Sequence, residues 1–442
     1  MHDETHKMSV FSAACVVVAN MIGTGVFTSL GFQLLGITDP FAILLLWTVG
    51  AVLALSGALV YGELGAAMPR SGGEYHYLSQ IYHPAVGFLS GWISITVGFA
   101  APVALSCMAF GSYLNRLFPV VPPAGLAVSL LGLITAIHCL GFRGGVLFQD
   151  AFTVLKIALI AAFIFVGLSS PSHHVSVSFM PTVSSIPAAL SPAFAVSLIF
   201  VSYSYSGWNA ATYVAGEIDQ PQKRLPLALW SGTAVVAVLY VLLNATFLLA
   251  APIDSMAGEL DVAFVPGLRL LGAVGGKVMA AVIAALLVSS VSSMVFIGPR
   301  VSHTMGEDMR LFRFFTSKTR RGLPAVAIVF QSLISLLLIL TSTFDAVLIY
   351  IGFTLNLFTM LTVFGVFIHR RRYPQASRPY RTWGYPAIPL VFLAFMSWMQ
   401  VYLVIERPVQ ALAGLGTALF GLAGYFINRI GECSVPPRKG RV

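Results

Sequence analysis

Two stretches decide how this chain reads: Met21-Ile22-Gly23-Thr24-Gly25-Val26-Phe27 and Tyr203-Ser204-Tyr205-Ser206-Gly207-Trp208-Asn209. Each sets glycine and small polar residues inside a long run without Asp, Glu, Lys or Arg, 8–38 for the first and 157–216 for the second. About 20 apolar residues cross hydrocarbon as a helix, so both stretches fall within membrane spans. A single small-x-small triplet in such a span commonly serves close helix packing. Two interruptions at corresponding positions of two halves point to a site built from broken helices.

The rest of the chain supports a membrane setting. Of its 442 residues, 57% are hydrophobic and 9% charged. An ordinary soluble domain carries roughly 25% charged residues. So few charges exclude a globular cytosolic enzyme, a disordered chain and a nucleic-acid binder, despite a net charge of +9. Further charge-free runs cover 40–62, 75–115, 117–142, 225–253, 278–299, 322–344, 346–369, 382–405 and 408–428. The 157–216 run has a polar middle rich in Ser and Pro, so it holds the end of one span and all of another. The sum is twelve spans, near 9–31, 40–68, 85–113, 124–140, 147–169, 189–215, 228–251, 271–301, 323–341, 343–369, 386–405 and 408–428. Runs of this length exclude barrel strands, which leaves an all-α membrane protein. The first run carries its glycine motif internally and ends without an A-x-A-type site, which reads as a span rather than a signal peptide.

Charge sets the expected orientation. With the N-terminus inside, cytoplasmic segments hold twenty Lys and Arg, and external segments hold four: Arg116, Arg269, Lys277 and Arg407. The positive-inside rule then puts both termini in the cytoplasm, and the multi-pass chain in the cell (inner) membrane. Cys15, Cys107 and Cys139 fall in spans and Cys433 in the tail, so no disulfide framework and no disulfide-linked heavy subunit is expected. Span 6 opens a second set of five spans. The expected organisation is a transporter core over 1–369, with inverted repeats at about 9–169 and 189–369, and two further helices with a cytoplasmic tail over 370–442.

The breaks carry the expected chemistry. The half-helix starting near Thr24 and Gly25 offers unpaired N–H groups and a positive dipole end to a carboxylate. Carbonyls near Met21 and Ile22, and around Tyr203 and Ser206, offer a negative end to an ammonium. One anion site beside one cation site describes the zwitterion of an amino acid. Gly23 and Gly25 permit close approach to the backbone, and Gly207 is expected in the same substrate site. Tyr203, Tyr205 and Trp208 are aromatics at the second break, Tyr203 being the better-placed gate. Asn209 either bonds substrate or ties span 6 to its neighbours. Asp150, Asp345 and Glu63 lie near span ends, so a mid-membrane acid for a cationic side chain is missing and neutral substrates are expected.

Lys156 is the one basic residue well inside a span, roughly 14 Å deep at 1.5 Å per residue. A charge at such a depth is expensive and functional by default. Its ammonium is expected in a cation site between spans 1 and 8, near Ser289, Ser290, Ser292 and Ser293, or as a proton carrier. Glu217 and Arg224 are expected to pair across the cytoplasmic face. The nine histidines form no metal-ligand pattern, His138 reads as a packed core residue, and no catalytic grouping or cofactor motif occurs.

These residues resemble the amino acid–polyamine–organocation superfamily, and within it the L-type neutral amino acid transporter branch and its bacterial relatives. The matching elements run from Gly23-Thr24-Gly25-Val26-Phe27 through the block Glu63, Pro69, Ser71-Gly72-Gly73-Glu74-Tyr75. They continue with Tyr205-Ser206-Gly207-Trp208-Asn209, Glu217-Ile218, Pro221 and Leu225-Pro226, and end with Arg378-Pro379-Tyr380 and Gly384-Tyr385-Pro386. The resemblance implies a five-plus-five inverted repeat with helices 1 and 6 broken and two extra C-terminal helices. It implies a carboxylate on the backbone at Thr24 and Gly25, an amine on carbonyls near Met21, Tyr203 and Ser206, and Lys156 at a former sodium site. Ser206 departs from the glycine of many L-type members, which narrows the pocket. The expected function is sodium-independent transport of neutral L-amino acids by alternating access, as exchanger or proton-coupled permease, without cofactor or enzymatic activity. An exporter or amine or polyamine carrier, and a sensor that binds without transport, are the alternatives.

Overall fold

The computed structural model describes residues 7–140, 145–183, 185–319 and 322–433. His2, His6 and, from the charge tally, Arg143, Arg320, Arg321, Arg438, Lys439 and Arg441 lie outside the described residues. In chain order the α-helices are α1 Val10–Met21, α2 Gly25–Gln33, α3 Pro40–Ala67, α4 Glu74–Ile81, α5 Pro84–Ile93, α6 Ala100–Asn115, α7 Pro123–Leu140, α8 Gly145–Leu168 and α9 Ser185–Ala189. There follow α10 Pro192–Tyr205, α11 Pro221–Ala250, α12 Ile253–Met256, α13 Phe264–Asp308, α14 Ala325–Thr341, α15 Phe344–Arg372, α16 Ala387–Glu406 and α17 Pro408–Cys433. No strand occurs among the described residues; Met8 and Ile218 form an isolated parallel bridge.

Helix starts follow local chemistry. Asp39, His83 and Ser191 each precede a proline at the first helical position and accept a hydrogen bond from a first-turn N–H, those of Phe41, Ala85 and Phe194 respectively. The cap satisfies a donor that the helix leaves free, and proline supplies a fixed φ where no N–H is needed.

Among the described residues, ten helical segments are long and apolar enough to cross a membrane. Two of the twelve expected spans fall short of that length. Span 6 contributes the 14 residues of α10 before the chain breaks after Tyr205, and span 9 contributes the 17 residues of α14. Span 3 contains a π-helical turn at Ser94–Gly98 between α5 and α6. The eighth begins earlier than expected, at Phe264, and its helix is interrupted at Gly272, whose φ is +70°. The burial pattern is that of a protein solvated by lipid: α14 exposes Val326, Val329, Leu333, Leu337 and Leu340 and buries Gln331, Ser332 and Ser335. An apolar stripe faces out because the bilayer is the solvent, and the polar groups turn inward for partners.

The face bearing Met8 also bears the loop after the second break. Met8 donates its N–H to the Glu217 carbonyl at 2.8 Å and accepts from the Asp219 N–H at 3.1 Å. We call this the terminal face. Here the expected Glu217–Arg224 pair is replaced. Glu217 bonds Arg300 of α13 at 2.7 Å, and Arg224 bonds Asp219 at 2.7 Å. Arg224 is within reach of Asp219 across the α11 start, while α13 carries Arg300 to Glu217.

A buried ion pair joins α3, α15 and the 378–386 segment. The fully buried Glu63 carboxylate accepts from Arg370 Nε at 2.8 Å, Arg370 Nη2 at 2.7 Å and the Thr382 N–H at 2.7 Å. Arg370 also covers the Tyr385 ring at 3.7 Å. Breaking such a pair strands a charge, which costs on the order of 3 kcal/mol. Arg370→Met is therefore expected to lower the unfolding temperature in detergent by several degrees, and Glu63→Gln added to it to recover part of the loss. A variant as stable as the parent would show that Glu63 does not depend on Arg370.

Candidate functional site

The first break leaves backbone groups that the protein caps one by one. α1 ends at Met21, and the Ile22 and Gly23 N–H groups bond the Val18 and Met21 carbonyls at 2.8 Å each. The Met21 carbonyl also accepts from Tyr240 Oη of α11 at 2.6 Å. The Ile22 carbonyl accepts from Ser290 Oγ of α13 at 2.8 Å and from Lys156 Nζ of α8 at 3.1 Å. Nζ also reaches Ser290 Oγ at 2.9 Å and the Ala19 carbonyl at 3.5 Å, and Lys156 is fully buried. On the other side of the break, the N–H groups of Thr24, Gly25 and Val26 donate no hydrogen bond among the described residues, and the next one, of Phe27, goes to the Thr24 carbonyl at 2.9 Å. These free N–H groups and the α2 dipole make a positive pole.

The serines expected around Lys156 divide by helix face. Ser290 meets Lys156. Ser293 Oγ accepts from Asn20 Nδ2 at 3.1 Å, Ser292 bonds His138 Nε2 at 2.9 Å, and Ser289 is buried on the same helix.

The second break follows Tyr205. Ser206 takes ψ 153°, Gly207 takes φ +96°, and a 3-10 helix runs from Ala210 to Glu217. Glycine is required at 207 twice over: by its φ, and because a Cβ would lie 2.8 Å from the Asn20 carbonyl carbon. The breaks thus abut through Asn20 and Gly207. The Ser206 N–H bonds the Tyr203 carbonyl at 2.9 Å, while the carbonyls of Ser204, Tyr205 and Ser206 accept no hydrogen bond among the described residues.

Away from the terminal face the two half-helices are closed on each other. Thr24 Oγ1 and Tyr203 Oη lie 3.1 Å apart, Ser29 Oγ and Ser204 Oγ 3.0 Å, and Phe32 stacks on Phe200 and Phe344. Toward the terminal face there is a cavity of about 90 Å³ lined by Asn20, Ser206, Gly207, Trp208, Asn209, Glu74 and residues of α6, α13, α15 and α16. Of the residues singled out from the sequence, Ser206, Gly207, Trp208 and Asn209 line it. Met21, Ile22, Gly23, Thr24, Gly25, Tyr203, Lys156 and the four serines do not. Trp208 packs edge-on against Tyr61 at 4.7 Å, its ring seated over Gly57 of α3.

Glu74 is the acid among the cavity residues that the sequence does not single out. It enters the cavity from the start of α4, outside the expected spans. Gly72 and Gly73, at φ +116° and +53°, turn the chain so that α4 begins beneath the second break. A Cβ at Gly73 would meet the Tyr213 ring at 2.6 Å. A glycine pair directly before an acid was the available signal. Glu74 is buried, and its Oε1 accepts from Tyr61 Oη, Thr359 Oγ1 at 3.0 Å and Asn209 Nδ2 at 3.3 Å. Asn209 is thereby tied to α4. Nearby, Arg70 is held charged by its hydrogen bond to Asp308, which Tyr75 Oη also approaches at 2.9 Å. Burial, aided by the Arg70 charge, pushes the His76 pKa down from 6.5 to about 4, so His76 is neutral at pH 7.

The sequence model of the amino acid permease family matches residues 8–419. The chain is 29% identical over 432 residues to the large neutral amino acids transporter small subunit 2 of Mus musculus, covering 96% of this chain and 81% of that protein. It is 28% identical over 439 residues to the serine/threonine exchanger SteT of Bacillus subtilis (strain 168), covering 96% and 98%. It is 27% identical over 435 residues to the human (Homo sapiens) b(0,+)-type amino acid transporter 1, covering 95% and 87%.

The glycines of the first break differ in what surrounds them. A Cβ at Gly25 would lie 2.4 Å from the Ser204 Cα, whereas at Gly23 the nearest atom is the Met21 oxygen at 4.0 Å. Gly25→Ala is expected to push α2 off α10 and reduce thermal stability, and Gly25→Val more so. Gly23→Ala is expected to fold with stability within about 1 kcal/mol of the parent, the ordinary glycine-to-alanine range. Equal melting temperatures for Gly25→Ala and Gly23→Ala in detergent would contradict this packing role.

Proposed function

The chain belongs to this amino acid permease family, and from that premise we propose that it is a sodium-independent secondary transporter of neutral L-amino acids, working by alternating access as an exchanger or proton-coupled permease. Amino acid transport is what its relatives' names share. The observation that carries sodium independence is Lys156. Its amine takes the Ile22 carbonyl and Ser290 hydroxyl, oxygens of the kind a sodium ion would ligate, and so occupies that ion's place.

In this reading the five-plus-five repeat brings the two breaks together. The substrate carboxylate docks on the free N–H groups of Thr24, Gly25 and Val26. Its ammonium docks on carbonyls of Ser204, Tyr205 and Ser206, because the Met21 and Ile22 carbonyls already hold Tyr240, Ser290 and Lys156. Gly23 gives access to the backbone between them. Tyr203, bonded to Thr24, closes the route away from the terminal face, and its release opens that route. With the terminal face cytoplasmic, the geometry corresponds to an inward-open state. Trp208 and Ser206 limit side-chain size from the cavity wall. Among the α13 serines, Ser290 bonds Lys156 and Ser293 holds Asn20 beside the break, while Ser292 turns to His138 and Ser289 is buried away from these contacts. Cys15 and Cys107 are buried and Cys139 lies within α7, which favours a protein working without a disulfide-linked partner.

A carrier of amines or polyamines is favoured by one observation, the Glu74 carboxylate on the cavity wall. Proteoliposome counterflow against a panel of amino acids and putrescine, with and without sodium, separates the readings. Neutral amino acids are expected to compete and putrescine not, with sodium irrelevant. Lys156→Ala is expected to slow counterflow by about tenfold or more while the protein remains folded, since the amine at the break is gone. Normal counterflow in Lys156→Ala would remove Lys156 from the mechanism.

A further inference from the structure

Glu74 is a buried acid whose two oxygens are treated differently. Oε1 takes all three hydrogen bonds, from Tyr61, Thr359 and Asn209, and Oε2 takes none among the described residues, though Glu74 lines the cavity. All three donors are neutral. Among the described residues, no Lys, Arg or His bonds this carboxylate. The titratable side chains that face it are Tyr61 of α3, Tyr77 of α4 and Tyr213 of the 3-10 helix, all phenols. From α15 it meets the hydroxyl of Thr359, and α5 and the π-helical turn carry no titratable group. The nearest charged residue along the chain, Arg70, bonds Asp308, which also accepts from Tyr75 Oη, and His76 is neutral.

We propose that Glu74 Oε2 is a proton-binding site, loaded as the cavity closes around a neutral substrate, so that a proton travels with the substrate. This rests on the transport reading above and deepens it to proton coupling. While the cavity is open, water solvates Oε2. Closure removes that water, and an unpaired carboxylate without a cation is strongly disfavoured in a dry site. A zwitterion whose ammonium is held by the break carbonyls brings no second cation, so a proton is the charge left to neutralise Glu74. The proton comes from hydronium in the cavity to Oε2 and returns to water from the same atom; no bond in the substrate changes. The three donors keep Oε1 occupied and so direct the proton to Oε2. Lys156 is less suited to this task, because Nζ is spent on protein oxygens and does not line the cavity. The site also couples to motion. Asn209 joins it from the second break, Tyr61 from α3 and Thr359 from α15, so loading alters the grip on three elements at once.

The test uses the full chain in liposomes with a trapped pH-sensitive dye, to which a transported amino acid is added outside. The parent protein is expected to acidify the lumen in proportion to substrate entry, with transport changing by roughly threefold or more between about pH 6 and about pH 8. Glu74→Gln is expected to lose the dye response per substrate moved and to lose the pH dependence. If Glu74→Gln moves no substrate, its substrate-induced thermal stabilisation is read at both pH values and is expected to be equal, where the parent's differs. If it does not fold, Glu74→Asp replaces it and is expected to keep the dye response. A dye response in Glu74→Gln equal to the parent's overturns the proposal, as does a transporting Glu74→Asp without one. Net uptake by the parent into liposomes holding no substrate that proceeds with no proton movement also overturns it, leaving the transport reading intact. Failure of the parent to move any amino acid refutes the transport reading itself. If Glu74→Gln keeps the pH profile but loses competition by lysine or putrescine, Glu74 is an amine subsite instead.

Discussion

A peptide group inside a bilayer has no water to turn to, and every interruption of a helix there must find its partners within the protein. The rest of this structure can be read from that requirement. The break after Met21 frees carbonyls, and side chains from α8, α11 and α13 converge to occupy them: Lys156, Tyr240 and Ser290. A lysine would be prohibitively placed at this depth on an isolated helix. Here it sits at the negative end of α1, where the backbone dipole and three oxygens replace its hydration. The opposite end of the same break is left uncapped, and on that asymmetry rests our proposal that it receives a carboxylate.

The second break is held differently. Gly207 lets the chain turn against Asn20, and the aromatic side chains on either side of it are fixed by α3: Tyr205 donates to the Trp47 carbonyl at 3.2 Å, and Trp208 meets Tyr61. Glycines at 50 and 57 of α3 make room for those rings. A scaffold helix thus reads as small residues facing the broken helix and large ones elsewhere. The buried pair of Glu63 and Arg370 pins the same helix at its terminal end to α15. Together these contacts leave the inner part of the second break as the segment facing the cavity.

The glycines of the first motif show why residue type alone is an incomplete guide. Gly23 and Gly25 look equivalent in sequence, two small residues flanking a threonine. In space Gly25 is pressed against the backbone of α10, and Gly23 looks onto room. One is a packing device, and the other has open space beside it. The serines of α13 divide in the same way, since residues one apart on a helix point to different neighbours.

What followed from sequence alone was periodicity and cost. Long charge-free runs can only be helices in lipid, a lysine inside one needs a reason, and glycine motifs at matched positions mark where helices end. Those inferences concern groups near in sequence or energies that hold anywhere in a bilayer. Which carbonyl meets which side chain was decided by tertiary structure. So were the partners of Glu217, which took Arg300 over Arg224, and the arrival of Glu74 at the cavity from a segment that reads as a turn. The reason is physical: these pairings join residues far apart in the chain, and their geometry exists only once helix packing has fixed where each end of each helix lies.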